Sequence, residues 1–420
     1  MNTGTRRRRS RSTKQDILVA AAALFAERGF AAVSVQDIGD EVGITGGALY
    51  RHYRGKDAVL DAVMLDTIDG WNQVAEEANG GIEALVEVSV RLVVDQPGML
   101  ATYLQERGRV ERTLRRELAG RERQLFRHWA DAMRTGRPGL TDRDISVRQQ
   151  ALNGVLSSLA RRPATLGPAR LRAALIEGLV AVATAPPVAG GPGRGPARAR
   201  PPWRAPVPRR EQIMATAMGL FAERGYHGVS MEDIGRAVGM AGPSLYEHVA
   251  GKGDVLLDAY DRAGAFVIAG AADAVAGAAS ASEALDRLLG SYATVAFRHG
   301  DLLVVTSQEG ASLEPSERPR LARRRRDLHE QWSAVVRELR PDLTAADARA
   351  VVRCAFALVN GLARARREDN PPVGEVVALG RALLVPADAP APEPAPDAPG
   401  ADPSVRSTDP VRSTDSEESS

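Results

Sequence analysis

Two stretches of this chain carry a hydroxyl, an imidazole and an ammonium group at the same spacing. The first is LYRHYRGK, residues 49–56, and the second is LYEHVAGK, residues 245–252. Groups of this kind bind the phosphate oxygens of nucleic acids. The chain has three lysines against 52 arginines, and two of the three occupy the same place in these stretches. A lysine shared by the two stretches favours a point-charge phosphate anchor beside a helix start.

The first stretch follows a run of small residues, TGGA. A helix that enters the major groove needs small residues at its start, polar tips that reach phosphates, and an apolar residue that faces its own domain. Leu49 can supply the apolar residue. The sequence therefore predicts DNA contacts from Thr45, Gly46, Gly47, Ala48, Tyr50, Arg51, His52 and Lys56. Plainer interpretations stay open: packing for Tyr50, a solvated side chain for His52 and a surface charge for Lys56.

The elements that must position these residues are predicted to be helices. An apolar stripe at helical spacing predicts a first helix that ends at Gly29. Ser34 then begins a second helix, with Asp37 three residues on in a capping pattern, and Gly43 stops it. Thr45 can cap a third, short helix, so the whole describes a helix-turn-helix. Long amphipathic helices are predicted over 111–135, 143–161, 168–183, 314–340, 346–366 and 373–385, and the fold class is all-α.

The chain is an internal repeat. At a fixed offset of 196, residues 14–60 match residues 210–256 at 23 of 47 positions, and at an offset of 203 weaker similarity continues through the rest of each half. Each half is therefore predicted to hold a helix-turn-helix domain followed by a helical effector and dimerisation domain. The predicted segments are a disordered basic arm (1–13), a first module (14–72 and 73–183), a Pro/Gly/Arg linker (184–208), a second module (209–268 and 269–385) and a disordered acidic tail (386–420).

Composition narrows the class of protein. Cys354 is the only cysteine, which excludes an intramolecular disulfide and suits a reducing compartment. The N-terminus has charge but no apolar segment behind it, and no window is long and apolar enough to span a membrane. No phosphate-binding glycine loop, metal-ligand spacing or nucleophile motif is present. We therefore expect a cytoplasmic protein that is not an enzyme and has no metal or cofactor.

The two copies resemble the DNA-binding domain of the TetR (tetracycline-repressor) family of bacterial transcription regulators. The resemblance rests on LFAERGF…VSVQDIGDEVGITGGALYRHYRGKDAVL and LFAERGYHGVSMEDIGRAVGMAGPSLYEHVAGKGDVL. It implies that the tyrosine, histidine and lysine contact phosphates and that the small residues before them contact base edges. In the second copy the implied DNA contacts are Ala241, Gly242, Pro243, Ser244, Tyr246, His248 and Lys252.

The remainder of each module is similar to the helical effector-binding domain of that family. The QER and QEG segments resemble regulators that sense acyl-CoA thioesters, so the implied effector is a small, apolar molecule or such a thioester. Tyr103, Trp129, Tyr292, His299 and Trp332 are candidates for the effector pocket, with core packing as the alternative. Members of the family usually dimerise through their last two helices. Two modules in one chain imply an internal pseudo-dimer, alone or in a dimer of chains.

These observations predict a DNA-binding transcription regulator, a ligand-responsive repressor whose two heads bind a double-stranded DNA operator from one chain. The alternative is a ligand-sensing interaction protein with one degenerate head. Formal charge bears on this choice, because residues 34–56 sum to zero whereas residues 230–252 sum to −1. Glu247 and Ala250 replace Arg51 and Arg54, so the second head has two fewer cations and one more anion at these positions.

Overall fold

The fold is described from a computed structural model, which covers residues 3–79, 81–161, 169–188, 207–364 and 370–387. Within those ranges every regular element is helical, α-helices together with short 3-10 turns, and no strand occurs. The all-α prediction is confirmed. None of the helices in the described ranges has an apolar stretch long enough to cross a membrane.

The helices repeat in the same order in the two modules. Those of the first module are α1 (Thr3–Arg28), α2 (Val35–Val42), α3 (Gly46–Tyr50), α4 (Lys56–Glu77), α5 (Ile82–Asp95), α6 (Pro97–Glu106), α7 (Arg112–Gly136), α8 (Asp142–Arg161) and α9 (Ala169–Thr184). Those of the second are α10 (Arg209–Arg224), α11 (Met231–Val238), α12 (Gly242–Tyr246), α13 (Lys252–Ala276), α14 (Ala281–Arg298), α15 (Gly300–Gln308), α16 (Arg318–Leu339), α17 (Ala345–Ala363) and α18 (Val373–Leu384). The six long helices predicted from periodicity are found with ends shifted by a few residues.

The N-terminal segment differs from its prediction. The sequence predicts a disordered arm over residues 1–13, yet α1 begins at Thr3. Arginine is a good helix former, and a helix already nucleated further along extends by one hydrogen bond per added residue. Most of the predicted linker (189–206) and of the predicted acidic tail (388–420) lies outside the described residues.

Each head is joined to its effector domain by a continuous helix. Helix α4 starts in the helix-turn-helix domain and continues past residue 72 into the effector domain, and α13 does the same past residue 268. The core of the first head contains Phe25, Ile38 and Leu49, all fully buried. A second, larger core runs through the first effector domain and the whole second module. The two modules therefore share buried apolar surface.

The modules meet where α8 and α9 pack against α17 and α18, a contact called the module interface below. Glycines allow α8 and α17 to cross closely. A Cβ added at Gly154 would lie 2.5 Å from the carbonyl oxygen of Ala357, and one added at Gly361 would lie 2.8 Å from that of Gln150. Side chains at either glycine would force the two helices apart.

Two ion pairs cross the module interface in related places. Arg143, at the start of α8, donates to Glu375 on α18 at 2.9 Å, and Arg170, at the start of α9, pairs with Asp347 on α17. The start of α8 contacts α18 and the start of α9 contacts α17, and such reciprocal pairs are typical of a two-fold contact between similar subunits. Burial opposes ionisation of Asp347, but hydrogen bonds from Thr344 and Arg170 outweigh it and hold its pKa below the usual range.

Candidate nucleic-acid interface

Both heads contain a capped helix-turn-helix. Ser34 precedes α2, its hydroxyl accepts from the Asp37 amide at 3.1 Å, and its own amide donates to the Asp37 carboxylate at 2.7 Å. The hydrogen bonds from Ser34 lower the pKa of Asp37. Gly43 ends α2 with a φ of 73°, in the left-handed region that favours glycine. The capping box predicted from the sequence is confirmed, and Ser230, Asp233 and Gly239 repeat the arrangement in the second head.

The turn between the two helices passes very close to the first of them. A Cβ at Gly39 would lie 2.8 Å from the carbonyl oxygen of Ile44, and a Cβ at Gly235 would lie 3.1 Å from that of Met240. Only glycine lets the turn fold back this tightly, so the angle between α2 and α3 depends on it. The approach between α11 and α12 is less tight, so a side chain at Gly235 would require only a small shift of the turn.

The third helix of each head has an apolar inner side and an exposed polar tip. Leu49 is fully buried, whereas Tyr50 is 57% exposed; Leu245 and Tyr246 repeat this with 0% and 56%. The packing interpretation of Tyr50 therefore does not hold. Thr45, Gly47, Ala241, Gly242 and Pro243 are exposed as well, and Gly46, Ala48, His52, Ser244 and His248 are partly exposed. Each head thus presents its predicted base-facing and phosphate-facing residues on the surface.

The two third helices begin differently. The hydroxyl of Thr45 accepts from the amide of Ala48 at 3.2 Å and caps α3. Ala241 has no side chain that can do so, and α12 is left with Pro243 in its first turn. Loss of an N-cap typically costs about 1 kcal/mol, and a proline in the first turn offsets part of that cost.

The two lysines predicted to anchor phosphates form hydrogen bonds within the protein. The Nζ of Lys56 donates to the carbonyl oxygens of Phe30 and Val33, both at 2.7 Å, and lies 4.3 Å from the Phe30 ring centroid. In the second head Lys252 bonds the carbonyls of Tyr226 and Val229 in the same way. Each lysine therefore closes the turn between the first two helices of its head. Internal hydrogen bonding accounts for the shared lysine, and the surface-charge interpretation does not hold.

That same turn is tied to the effector domain. The amide of Phe30 donates to Glu106 at 3.4 Å, and the amide of Tyr226 donates to Glu309 at 3.1 Å. Glu106 ends α6, and Glu309 directly follows α15. The sequence alone predicts no role for these glutamates, although both belong to the QE pair that the QER and QEG segments share. They form a polar link between each effector domain and its head.

A cavity of about 910 Å³ lies inside the second module and opens at the module interface. This interior cavity is walled by α13, α15, α16 and α17, by Tyr292 of α14 and, on the interface side, by α1, α6 and α8. Among the described residues no group of three His, Cys, Asp or Glu is placed to hold a metal ion.

The predicted effector-pocket residues are divided by the structure. Tyr292 lies on the cavity wall and donates to Asn360 at 3.0 Å, and burial raises its pKa. Trp332 packs behind it, with ring centroids 6.2 Å apart. Tyr103 and Trp129 are buried in the first module, and His299 stacks on Phe266 at 4.5 Å. These four residues are in packing contacts, and Tyr292 is the member of the predicted set that lines this cavity.

Comparison with known proteins places the heads in a family. The description "Bacterial regulatory proteins, tetR family" matches residues 17–63 and again 213–259, and "Tetracyclin repressor-like, C-terminal domain" matches residues 278–364. Similar proteins include the HTH-type transcriptional repressors KstR2 of Mycolicibacterium smegmatis, 35% identical over 78 residues, and of Rhodococcus jostii, 33% identical over 100 residues. These alignments cover 18% and 22% of this chain and span 38% and 49% of the two relatives.

Solved structures give weaker likenesses. The ketosteroid transcriptional regulator KstR2 of Mycobacterium tuberculosis is 23% identical, with 43% of this chain and 95% of that chain covered and a TM-score of 0.38. AibR in complex with isovaleryl coenzyme A and operator DNA is 20% identical, with 43% and 99% covered and a TM-score of 0.37. Because the N-terminal pattern of the family occurs in both heads and its C-terminal pattern follows the second head, the chain belongs to the TetR family of bacterial regulatory proteins.

Proposed function

We propose that this chain is a transcription regulator that acts by binding rather than catalysis, in the cytoplasm, where its two heads bind one double-stranded DNA operator. The observation that carries the proposal is the presence of two complete, capped helix-turn-helix units whose third helices expose Tyr50 and Tyr246. The KstR2 relatives are named transcriptional repressors, which supports repression as the outcome of binding.

The proposal treats the chain as an internal pseudo-dimer. Members of a homodimer bind two half-sites because a two-fold axis spaces their recognition helices. In this chain the module interface supports the same arrangement through the related pairs Arg143–Glu375 and Arg170–Asp347 and the close crossing at Gly154. One polypeptide can then span an operator without a second copy.

The two heads are proposed to bind their half-sites with different strength. Arg51 and Arg54 are exposed beside α3, whereas exposed Glu247 and Ala250 stand in their places beside α12. A head that makes fewer phosphate contacts gains less from counterion release, and a carboxylate near the DNA backbone is repelled by it. Together with the uncapped start of α12, this makes the second head the weaker one and favours an asymmetric operator.

A ligand in the interior cavity is proposed to release the operator. Helix α15 forms part of the cavity wall, and Glu309 at its end accepts the amide of Tyr226, whose carbonyl accepts from Lys252 at the start of α13. A shift of α15 would therefore reach the second head through two hydrogen bonds. The ligand changes the equilibrium only to the extent that it binds the released arrangement more tightly.

Footprinting on promoter DNA tests the two-headed proposal, with Tyr50→Ala and Tyr246→Ala made separately. We expect each variant to lose protection over one half-site and to keep it over the other, with the larger decrease in affinity from Tyr50→Ala. Equal weakening of both half-sites on a perfect palindrome contradicts unequal heads.

The second candidate function is an interaction protein whose second head has lost DNA binding. The uncapped α12 and exposed Glu247 favour this candidate. It predicts that Tyr246→Ala leaves the footprint unchanged while Tyr50→Ala abolishes it. The same pair of variants therefore separates the two functions.

A further inference from the structure

We propose that the chain holds one effector site rather than two, that this site is the interior cavity of the second module, and that it takes an amphiphilic anion. The inference rests on the proposed function, because it specifies which module responds and to what class of ligand. It is carried by a residue-by-residue difference between the modules that the repeat makes visible.

Three positions that wall the cavity in the second module carry larger side chains in the first. At the offsets of the repeat, 196 for α4 and α13 and 203 for α6 and α15, three small or medium residues correspond to larger ones. Gly264, Val267 and Thr306 on the cavity wall stand where the first module has Ile68, Trp71 and Tyr103. The three larger side chains are 4%, 7% and 5% exposed, so they fill much of the interior of the first module. Trp71 also borders a smaller pocket of about 350 Å³ in that module, and the carboxylates of Asp66, Asp69 and Glu77 in its wall make it unsuited to an anion.

Hydrogen bonds also join the helices around the interior of the first module. The hydroxyl of Tyr103 donates to Glu122 on α7 at 2.6 Å, and burial raises the pKa of Tyr103. The amide group of Asn72 on α4 donates to the backbone carbonyl of Arg121 on α7 at 3.1 Å. Helix α7 is thus joined to α6 and to α4 by side-chain hydrogen bonds at the place where the second module has its cavity.

The corresponding helices of the second module, α13 and α16, are joined by an arginine. Arg324 on α16 donates to Asp261 on α13, at 2.9 Å to the carboxylate and 2.7 Å to the backbone carbonyl. Its guanidinium lies across Gly264, where an added Cβ would collide with it. The arginine therefore occupies the space beside Gly264 and forms part of the wall of the cavity.

The wall chemistry sets the class of ligand. Apolar side chains such as Leu303, Leu328 and Phe356 line the inside. Arginines also contribute to the wall, namely Arg161, Arg318, Arg324, Arg325, Arg353 and Arg364. Among the described wall residues Glu27 is the only carboxylate. Arg324 is paired with Asp261 of α13, but the wall as a whole carries more guanidinium than carboxylate groups. Apolar walls with this balance of charge favour an apolar body with a carboxylate or phosphate head.

The position of the cavity explains how one site could serve both heads. Its wall includes Ser158 and Arg161 of α8, and Glu27 near the end of α1 in the first head. A ligand that fills it touches the second module and the first at the module interface. Occupancy by a single molecule would then change the relation between the heads without a second site.

The test is native mass spectrometry and calorimetry of the full chain with three compounds: dodecanoyl coenzyme A, dodecanoate and coenzyme A alone. We expect one amphiphile bound per chain and weaker or undetectable binding of coenzyme A alone. Binding of dodecanoyl coenzyme A only would place the charge recognition on phosphates, and binding of dodecanoate as well would show that a carboxylate suffices. Two molecules per chain, or no binding by either amphiphile, overturns the proposal.

Two variants localise the site. Thr306→Tyr copies Tyr103 of the first module and should abolish amphiphile binding, whereas Thr113→Tyr, at an exposed position of α7, should leave it unchanged. Arg353→Gln copies Gln150 of the first module and should weaken dodecanoyl coenzyme A binding roughly tenfold, as expected for one charge-assisted hydrogen bond. Amphiphile binding that survives both Thr306→Tyr and Arg353→Gln places the site elsewhere and refutes the assignment.

A gel shift with promoter DNA on the same proteins keeps this inference separate from the proposed function. A chain that binds DNA but takes two ligands, or none, leaves the regulator intact and removes the single-site inference. A chain that takes one ligand but never binds promoter DNA supports the site and contradicts the regulator. If Thr306→Tyr fails to fold, Arg353→Gln alone decides the location.

Discussion

Replacing Lys56 by methionine distinguishes two roles of this side chain, namely hydrogen bonding within the protein and contact with DNA. Methionine keeps most of the length of the side chain and removes the ammonium group. In the structure the ammonium group donates hydrogen bonds to the carbonyls of Phe30 and Val33 and lies over the Phe30 ring. If this is its main role, Lys56→Met weakens the fold of the head and leaves the number of phosphate contacts unchanged.

The size of the effect follows from the interactions that the ammonium group makes. A hydrogen bond to a charged group contributes about 1.5 to 3 kcal/mol when its partner is left buried, and less where water can replace it. Lys56 is partly exposed, so we assign about 1 kcal/mol to each of its two short hydrogen bonds. The cation–π contact adds about 0.5 kcal/mol. The free energy of unfolding of the first head should fall by about 2 to 3 kcal/mol.

The assay combines urea unfolding with operator binding over a range of salt concentrations. Lys56→Met should shift the unfolding midpoint and leave the slope of log affinity against log salt unchanged. Arg51→Met is the matched control, because Arg51 is exposed on the same head. The control should keep the midpoint and lower the salt slope by about 0.9 for each phosphate that it no longer neutralises. If the Lys56→Met chain keeps its unfolding midpoint and shows a reduced salt slope, Lys56 binds a phosphate and does not stabilise the head.

Three further outcomes are expected. The pKa of Asp347 is depressed in the folded chain, so its contribution to stability is complete above about pH 4 and is lost as pH falls through the folded-state pKa. The urea midpoint of the Asp347→Asn variant should therefore depend less on pH across that acidic range. Burial raises the pKa of Cys354 to about 12, so its thiol should react with a thiol reagent in mildly alkaline buffer only after the chain unfolds. Gly154→Leu should destabilise the chain by about 3 kcal/mol and loosen two-site operator binding, whereas Gly120→Leu, where an added Cβ has room, should not.

The sequence predicts the elements of the heads well because their signals are local. A serine with an aspartate three residues on is a cap in any fold, and a glycine after an apolar stripe ends a helix. Ser34, Gly29 and Gly43 carry these signals and stand where expected. The repeat supports the prediction, because each local signal occurs twice.

The roles of side chains that act over long distances in the chain are harder to predict. The sequence predicts that Lys56 anchors a phosphate, and its hydrogen bond to a carbonyl 26 residues away adds a partner within the protein that no local pattern indicates. The link from Glu106 to Phe30 spans 76 residues, beyond the reach of any periodicity. Tyr103 and Trp129 resemble pocket residues in the sequence because buried aromatics line pockets and cores alike, and burial alone does not distinguish the two.

Tandem duplication frees the two modules from a constraint that identical subunits share. In a homodimer a residue that improves DNA binding or opens a ligand cavity is present in both halves, so each half must serve both purposes. In this chain the first module combines a capped α3 and Arg51 with an interior filled by Tyr103. The second combines an uncapped α12 and Glu247 with an open cavity. If stable operator binding needs both heads at once, the ligand need only dislodge the weaker, second head. The differential affinity required for release is then smaller than it would be for two equal heads.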